Sequence, residues 1–284
     1  MSLLESVLLG LLQGAAEFIP VSSSGHLAVL RRLLGLGGVP ILYDILLHVA
    51  TLLVVLFVFR RRVAALLFSL LHGLLHLGRR AAAGGSGSRV GPSSTLTAED
   101  RENLRLILFL LVVTAITAAA GLGLGPLEEF FLGHPRLIGF LFLATALVLF
   151  LTRGLRGRKG YESAGLARAA AIGLAQGIGV LPGVSRSGVT ISAALFCGLD
   201  REKAGELSFL ASVPAVLGAL ILKSRETGEL LSRVSLPVLA AGFCASLLMG
   251  LLSICILLRM VRQGRLHLFG FYLVPAGLLT LILG

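Results

Sequence analysis

The chain has 284 residues, of which 56% are hydrophobic and 14% charged, against roughly 25% charged in ordinary soluble proteins. That composition excludes a soluble globular domain. The 25 Lys and Arg outnumber the 14 Asp and Glu to give a net charge of +11, but the basic residues sit in short clusters between apolar runs, as membrane topology requires, so nucleic acid is not an expected partner.

Apolar runs at 41–59, 106–124, 137–152, 234–258 and 266–283 approach the roughly 20 residues that cross a hydrocarbon core as a helix. They are continuous in Leu, Ala and Val, whereas a barrel strand needs alternation with period two. The expected fold class is an all-α polytopic membrane protein, one membrane domain over 1–284.

The first element is interrupted by "QGAAEFIPVSSSGHL", residues 13–27. An apolar segment runs into Pro20, a small polar turn follows, and a second short apolar segment begins, which is how a broken or re-entrant helix pair reads. No basic stretch precedes the first run, so no cleavable signal is expected. Gln13 and Glu17 are four apart and share one helical face. Ser22, Ser23 and Ser24 can cap the restarted helix, Gly25 permits close backbone approach, and His26 follows.

Next, "YDILLHVATLLVV" carries Asp44 and His48 on one face. Asp44 and Glu17 are the acids set deepest among apolar residues, which makes both functional candidates. Beyond Arg60–Arg62, "VAALLFSLLHGLLHL" at 63–77 lies between two basic clusters and reads as an interfacial helix. His72 and His76 share one of its faces, but no carboxylate accompanies them. Segment 79–100 is rich in Gly, Ser and Ala and reads as a flexible cytoplasmic linker ending in a helix start at Thr97-Ala98-Glu99-Asp100. Basic clusters at Arg60–Arg62, at Arg79, Arg80 and Arg89, at Arg153–Lys159 and at Arg259–Arg265 mark the cytoplasmic side, and the loop at 125–135, with Glu128 and Glu129, falls outside.

The second half repeats the first. A shift of 163 positions carries Gln13-Gly14 onto Gln176-Gly177, and Val21, Ser22, Ser24 and Gly25 onto Val184, Ser185, Ser187 and Gly188; Pro20 and Pro182 differ by one step. Repeat 1 covers about 1–78 and repeat 2 about 160–284. Broken helices at matching positions point to an inverted repeat whose two breaks, 13–27 and 176–190, meet near the midplane at a ligand site. Two Ser-capped helix starts bind anions readily, and Arg186 fits phosphate or carboxylate. The bland alternative is a structural ion pair between Arg186 and Glu17. Carboxylate, imidazole, hydroxyl and guanidinium together are the groups a phosphoryl-transfer site needs. Glu206, in "ELSFLASVP", reads as an interfacial charge beside Arg201 and Lys203. Pro214 and Pro237 read as helix kinks or starts, and Cys197, Cys244 and Cys255 as small packing residues.

Taken together, "QGAAEFIPVSSSGH" and "LPGVSRSGVT" resemble the two signature elements of the undecaprenyl-diphosphate phosphatase family, membrane phosphatases also called bacitracin-resistance proteins. The first matches Glu/Gln-x-x-x-Glu followed by Pro-Val-Ser-Ser-x-Gly-His, the second Pro-Gly-x-Ser-Arg-Ser-x-x-Thr. The resemblance implies hydrolysis of a C55 polyprenyl diphosphate to its monophosphate, recycling a lipid carrier for cell-wall polymers, with a divalent cation, Mg²⁺ or Ca²⁺, as cofactor. It implies catalytic roles for Glu17, Ser23, His26 and Arg186, and a metal-binding role for Glu17. Substrate contacts are implied at Gln13, Ser22, Ser24, Gly25, Ser185, Ser187, Gly188 and Thr190. Gln13 stands where the motif also takes Glu, which removes one anionic ligand and leaves more of the coordination to the diphosphate.

The expected partners are a polyprenyl diphosphate lipid and the bilayer, with a homodimer as the candidate assembly, in a bacterial inner membrane with the site facing the periplasmic side. Ser23 is the expected nucleophile; attack by water or by His26 fits the sequence nearly as well. A polyprenyl-phosphate flippase or anion transporter is the rival, because such a carrier needs the anion clamp without a nucleophile.

Overall fold

The computed structural model describes residues 1–36, 41–82, 96–223 and 234–284. Among them twelve helices form and no strand, apart from an isolated bridge between Lys159 and Leu199. In chain order they are α1 (Leu3–Phe18), α2 (Ser23–Leu33), α3 (Ile41–Val58), α4 (Arg60–Ala82), α5 (Ala98–Leu132) and α6 (Pro135–Leu151). The second half adds the short α7 (Tyr161–Ala164), then α8 (Leu166–Ile178), α9 (Arg186–Phe196), α10 (Arg201–Lys223), α11 (Leu236–Arg262) and α12 (Leu268–Leu283). By length and composition α5 and α11 can each cross a membrane. The stretches 42–58 of α3 and 60–78 of α4 do so only as a pair bent by 72°, and α6, α8 and α12 are shorter apolar helices.

The repeat read from sequence reappears in the helix boundaries. The shift that aligns the motifs carries the start of α1 at Leu3 onto that of α8 at Leu166, and α2, Ser23–Leu33, onto α9, Arg186–Phe196. Each broken pair packs on a long helix of the other half: α1 along α11, α8 along α5. Glycines four apart make both contacts close. A Cβ on Gly10 would lie 2.2 Å from the Gly242 carbonyl oxygen, and one on Gly14 2.4 Å from that of Ser246; Gly173 and Gly177 meet Val113, Ile116 and Ala120 in the same way. Small residues at this spacing let helix backbones approach where lipid offers no hydrophobic drive to association.

Chain direction follows from these contacts. Ser6 bonds the Val238 carbonyl while Gly14 meets Gly250, so α1 runs parallel to α11. Gly173 meets Val113 and Gly177 meets Ala120, so α8 runs parallel to α5. Tight turns join α5 to α6 and α11 to α12, and α6 and α12 pack antiparallel, with Gly139 on Gly277 and Pro135 beside Gly284. Hence α5 and α11 oppose each other and so do α1 and α8. The two broken pairs therefore enter from opposite ends, an arrangement consistent with an inverted repeat.

At the end where α3 turns into α4, a polar lattice ties the helices together. Arg62 of α4 pairs with Glu206 of α10 and donates to Asn103 of α5 at 2.6 Å; Tyr161 donates to Glu206 at 3.1 Å, and Lys203 pairs with Glu102. Glu206 thus takes its cation from another helix, not from Arg201 or Lys203 as its local sequence suggested. Arg201 instead donates to the Leu155 carbonyl. Arg60–Arg62, expected in a loop, open α4 itself, whose Leu67, Phe68, Leu71 and Leu74 remain exposed, as an interfacial helix needs. Its His72 does meet a carboxylate, Asp100, at 3.3 Å, a partner that lies far away in sequence.

Of the expected linker 79–100, α4 takes the first part through Ala82, and α5 starts on a capping box formed by Thr97 and Asp100; residues 83–95, with Arg89, lie outside the described residues. Pro237 sits in the first turn of α11 and Pro214 inside α10. Cys244 and Cys255 face outward from α11 and do not pack inside; Cys197 is half-buried.

The α1–α11 contact yields a direct test. Gly14→Val places a branched side chain against backbone and is expected to destabilise the protein by about 1–3 kcal/mol or more. Gly123→Ala, with nothing within 4 Å of its Cβ, is expected to change stability by no more than about 1 kcal/mol. Thermal unfolding in detergent reads both, and equal midpoints would refute the close approach.

Candidate active site

Both helix breaks restart on a serine cap, and the two turns are packed into each other. Ser22 caps α2 by accepting from the Gly25 N–H at 3.4 Å, and Ser185 caps α9 by accepting from the Gly188 N–H at 3.1 Å. Across the interface Ser22 Oγ also accepts from the Gly183 N–H at 3.0 Å, while Ser187 Oγ donates to the Phe18 carbonyl at 3.2 Å. The nested positions leave little room: a Cβ on Gly25 would lie 2.8 Å from the Gly183 nitrogen, which excludes it, and one on Gly188 would press on Pro20 at 3.1 Å. The turns expected to meet do meet, held by bonds from each side.

Ser22 adopts φ 73°, the one positive φ at a non-glycine position among the described residues. Such a conformation costs of order 1–3 kcal/mol and persists only where its surroundings fix it. Here the fixing groups are the two amides on its hydroxyl and His26, whose Nδ1 lies 2.9 Å from the Ser22 carbonyl oxygen. The other ring nitrogen, Nε2, is 2.9 Å from the Tyr272 hydroxyl, and the ring packs on Phe142 and Tyr272. His26 is therefore held against α12 and braces the turn.

Glu17, at the end of α1, gathers the reactive groups. One carboxylate oxygen pairs with Arg186, the first residue of α9. The other accepts from Ser23 Oγ at 2.7 Å and from Gln13 Nε2 at 3.1 Å, and His48 Nε2 lies 3.4 Å away. The Glu17 side chain is 8% exposed, those of Arg186 and His48 23% and 26%. Charge at this depth is costly unless paired, and here it is paired across the two repeats. A small cavity opens beside the pair, lined by the polar side chains of Thr51, Ser187, Ser208 and Ser212.

Of the residues expected from sequence, Gln13, Glu17, Ser23 and Arg186 come together at one carboxylate. Ser22, Gly25, Ser185, Ser187 and Gly188 build the turns around it, and Ser24 is half-buried in the first turn of α2. Thr190 is buried and donates to the Arg186 carbonyl at 2.6 Å, which steadies the start of α9. Asp44 stands apart from Glu17 and meets Arg31 at 2.7 Å. Local sequence alone assigns no role to His48, Thr51, Ser208 or Ser212. Their signal was spacing: Asp44, His48 and Thr51 recur at helical intervals on α3, as do Ser208 and Ser212 on α10.

The donor set fits a hard divalent cation in part. Among the described residues no group of three His, Cys, Asp or Glu is placed to hold one. Yet Gln13 Oε1 is buried beside Glu17 with no hydrogen-bond partner, and a carbonyl oxygen next to a carboxylate suits Mg²⁺ or Ca²⁺ when phosphate oxygens and water supply the remaining ligands. Gln176 Oε1, the repeat-related atom, is equally unpartnered among the described residues, but its amide donates to Thr117 and the Ala211 carbonyl and not to a carboxylate, so the neighbourhood of Glu17 distinguishes the first site.

A family profile described as bacitracin resistance protein BacA matches residues 6–279. An undecaprenyl-diphosphatase of Treponema denticola is 43% identical over 98% of this chain and 96% of its own. The proteins of that name from Geobacter sulfurreducens and Korarchaeum cryptofilum are 38% and 36% identical, over 98% and 100% of this chain and 96% and 100% of their own. A match that spans both breaks and nearly every helix between and beyond them shows that the chain belongs to the bacitracin resistance protein BacA family.

Proposed function

We propose that the protein is an integral membrane phosphatase that hydrolyses undecaprenyl diphosphate to undecaprenyl phosphate and inorganic phosphate. The observation that carries the mechanism is the contact of Ser23 with Glu17: the hydroxyl donates to one oxygen of a carboxylate whose other oxygen is held by Arg186. A general base must lie within hydrogen-bond reach of the proton it takes, and at 2.7 Å this one does.

Arg186 has five N–H donors, enough to grip the terminal phosphate while retaining a bond to Glu17. Ser23 Oγ attacks the terminal phosphorus as its proton passes to Glu17. The bond from that phosphorus to the bridging oxygen breaks, and the prenyl monophosphate leaves with the proton that Glu17 hands to it. Glu17, again a carboxylate, then takes a proton from the water that attacks the phosphoserine; the phosphorus–Oγ bond breaks, Ser23 Oγ takes that proton back, and phosphate departs. The N-terminal ends of α2 and α9 add partial positive charge where negative charge gathers. Ser22 and Ser185 hold the turns as caps, and His26 acts as a positioning residue whose ring nitrogens are spent on Ser22 and Tyr272. That engagement favours Ser23 over His26 as the nucleophile.

Gln13 and Glu17 are the residues that would hold a divalent cation, which would neutralise charge on the diphosphate. The prenyl chain stays in the lipid alongside the helices. The basic clusters at Arg60–Arg62, Arg153–Lys159 and Arg259–Arg265 support a cytoplasmic location for the end where α4 and α8 begin. Repeat 1 enters from the other end, so its site would open to the periplasmic side of the inner membrane. A lipid flippase or anion transporter would need the clamp but not the contact between Ser23 and Glu17, and the names of the relatives favour the enzyme.

Phosphate release by purified protein from a long-chain prenyl diphosphate tests this reading. Ser23→Ala and Glu17→Gln are each expected to lower kcat by about 10³-fold or more, with the fold retained by size-exclusion chromatography. Full turnover by Ser23→Ala would replace the serine with direct attack by water. Chelation is expected to abolish release, and Mg²⁺ or Ca²⁺ to restore it; release indifferent to chelator would remove the cation from the scheme.

A further inference from the structure

Outward from Glu17, the face of α3 that carries His48 also carries Asp44, one turn earlier. Asp44 Oδ1 lies 2.7 Å from Arg31 Nη2, with side chains 25% and 15% exposed. Arg31 sits on α2, the helix that Ser23 begins, eight residues on and so about 12 Å along its axis. Thr51 and Val55, deeper on the same helix, line the cavity beside Glu17 and Arg186. One strip of α3 therefore joins two arginine–carboxylate pairs, Arg186 with Glu17 at the break and Arg31 with Asp44 at the outer end, with His48 between them.

On the arginine side the outer pair is only partly satisfied. Arg31 Nη2 is close to Asp44 without the alignment of a hydrogen bond, and Arg31 Nε is buried with no acceptor among the described residues. Buried donors left unmade are costly, and those of a charged group more so. A guanidinium with unspent donors is suited to a tetrahedral oxyanion, which can take two parallel N–H bonds.

We propose that Arg31 is a substrate-specificity residue that binds the phosphate nearer the prenyl chain, while Arg186 holds the terminal one, and that Asp44 competes with the substrate for Arg31. This rests on the phosphatase reading of the inner site and deepens it by naming the second phosphate contact. A diphosphate can reach both arginines, whereas a monophosphate or free phosphate occupies only the inner one. The product is then held by one arginine fewer than the substrate, which favours its release.

The two partners are expected to change the enzyme in opposite directions, and a purely structural ion pair would not do that. Steady-state phosphate release from a prenyl diphosphate, with inorganic pyrophosphate and inorganic phosphate as competing inhibitors, is compared among wild type, Arg31→Gln, Arg31→Lys and Asp44→Asn. Arg31→Gln is expected to raise KM about tenfold or more, with kcat changed far less, and to weaken inhibition by pyrophosphate but not by phosphate. Arg31→Lys is expected to recover part of the loss. Asp44→Asn, which removes the competitor, is expected to lower KM roughly threefold. If Arg31→Gln and Asp44→Asn shift KM in the same direction, or neither shifts it while wild type turns over normally, the inference is overturned and the phosphatase reading stands. If wild type releases no phosphate, both fall.

Discussion

The fold turns on one interaction, the buried pair between Glu17 and Arg186. Each charge would be costly alone in an apolar surrounding, and removing either leaves the other uncompensated. Glu17 closes α1 of the first repeat and Arg186 opens α9 of the second, so the pair can form only when the two broken helices are brought end to end. Helix packing and the exchange of α1 and α8 onto α11 and α5 all serve that approach. The same pair then presents what phosphoryl transfer needs, a base on one side and a cationic clamp on the other, without bringing further charge into the membrane.

Close approach imposes a second constraint, which falls on small residues. Gly10, Gly14, Gly173 and Gly177 let the half-helices lie against their neighbours, and Gly25, Gly183 and Gly188 let the two turns interlock. Ser22 is held in a conformation that a side chain rarely adopts, and its hydroxyl and carbonyl both receive bonds for it. Strain of this kind needs a rigid surround, and α6 and α12 provide it through Phe142 and Tyr272, which both pack on His26. The turn is thus fixed before any ligand arrives, which suits catalysis by electrostatic preorganisation.

Much of this was legible in the sequence because it depends on local chemistry. Ser-rich turns after proline, the shift that aligns the two halves, and a lone arginine among apolar residues each carry their physical reason in a few positions. The meeting of Gln13, Glu17, Ser23 and Arg186 followed from those signals. What was not legible depends on contacts between distant segments. His48 reaches Glu17 because α3 packs against α1. Glu206 pairs with Arg62 because the chain bends by 72° between α3 and α4. Asp100 meets His72 because α5 returns along α4. His26 looked like an acid or base beside Ser23, yet helix geometry turns its ring towards α12; a count of polar neighbours in sequence does not say which way a side chain faces.

Catalysis in this scheme requires that substrate phosphate enter the ion pair and take Arg186 as its ligand at the start of α9. A structure of the protein in lipid with a methylene-bridged, non-hydrolysable prenyl diphosphate analogue tests it most directly. The terminal phosphonate is expected on Arg186, with Ser23 Oγ facing its phosphorus and Glu17 still bonded to Ser23. A phosphonate bound elsewhere, with Glu17 and Arg186 paired as they are now and Ser23 remote from phosphorus, would contradict it.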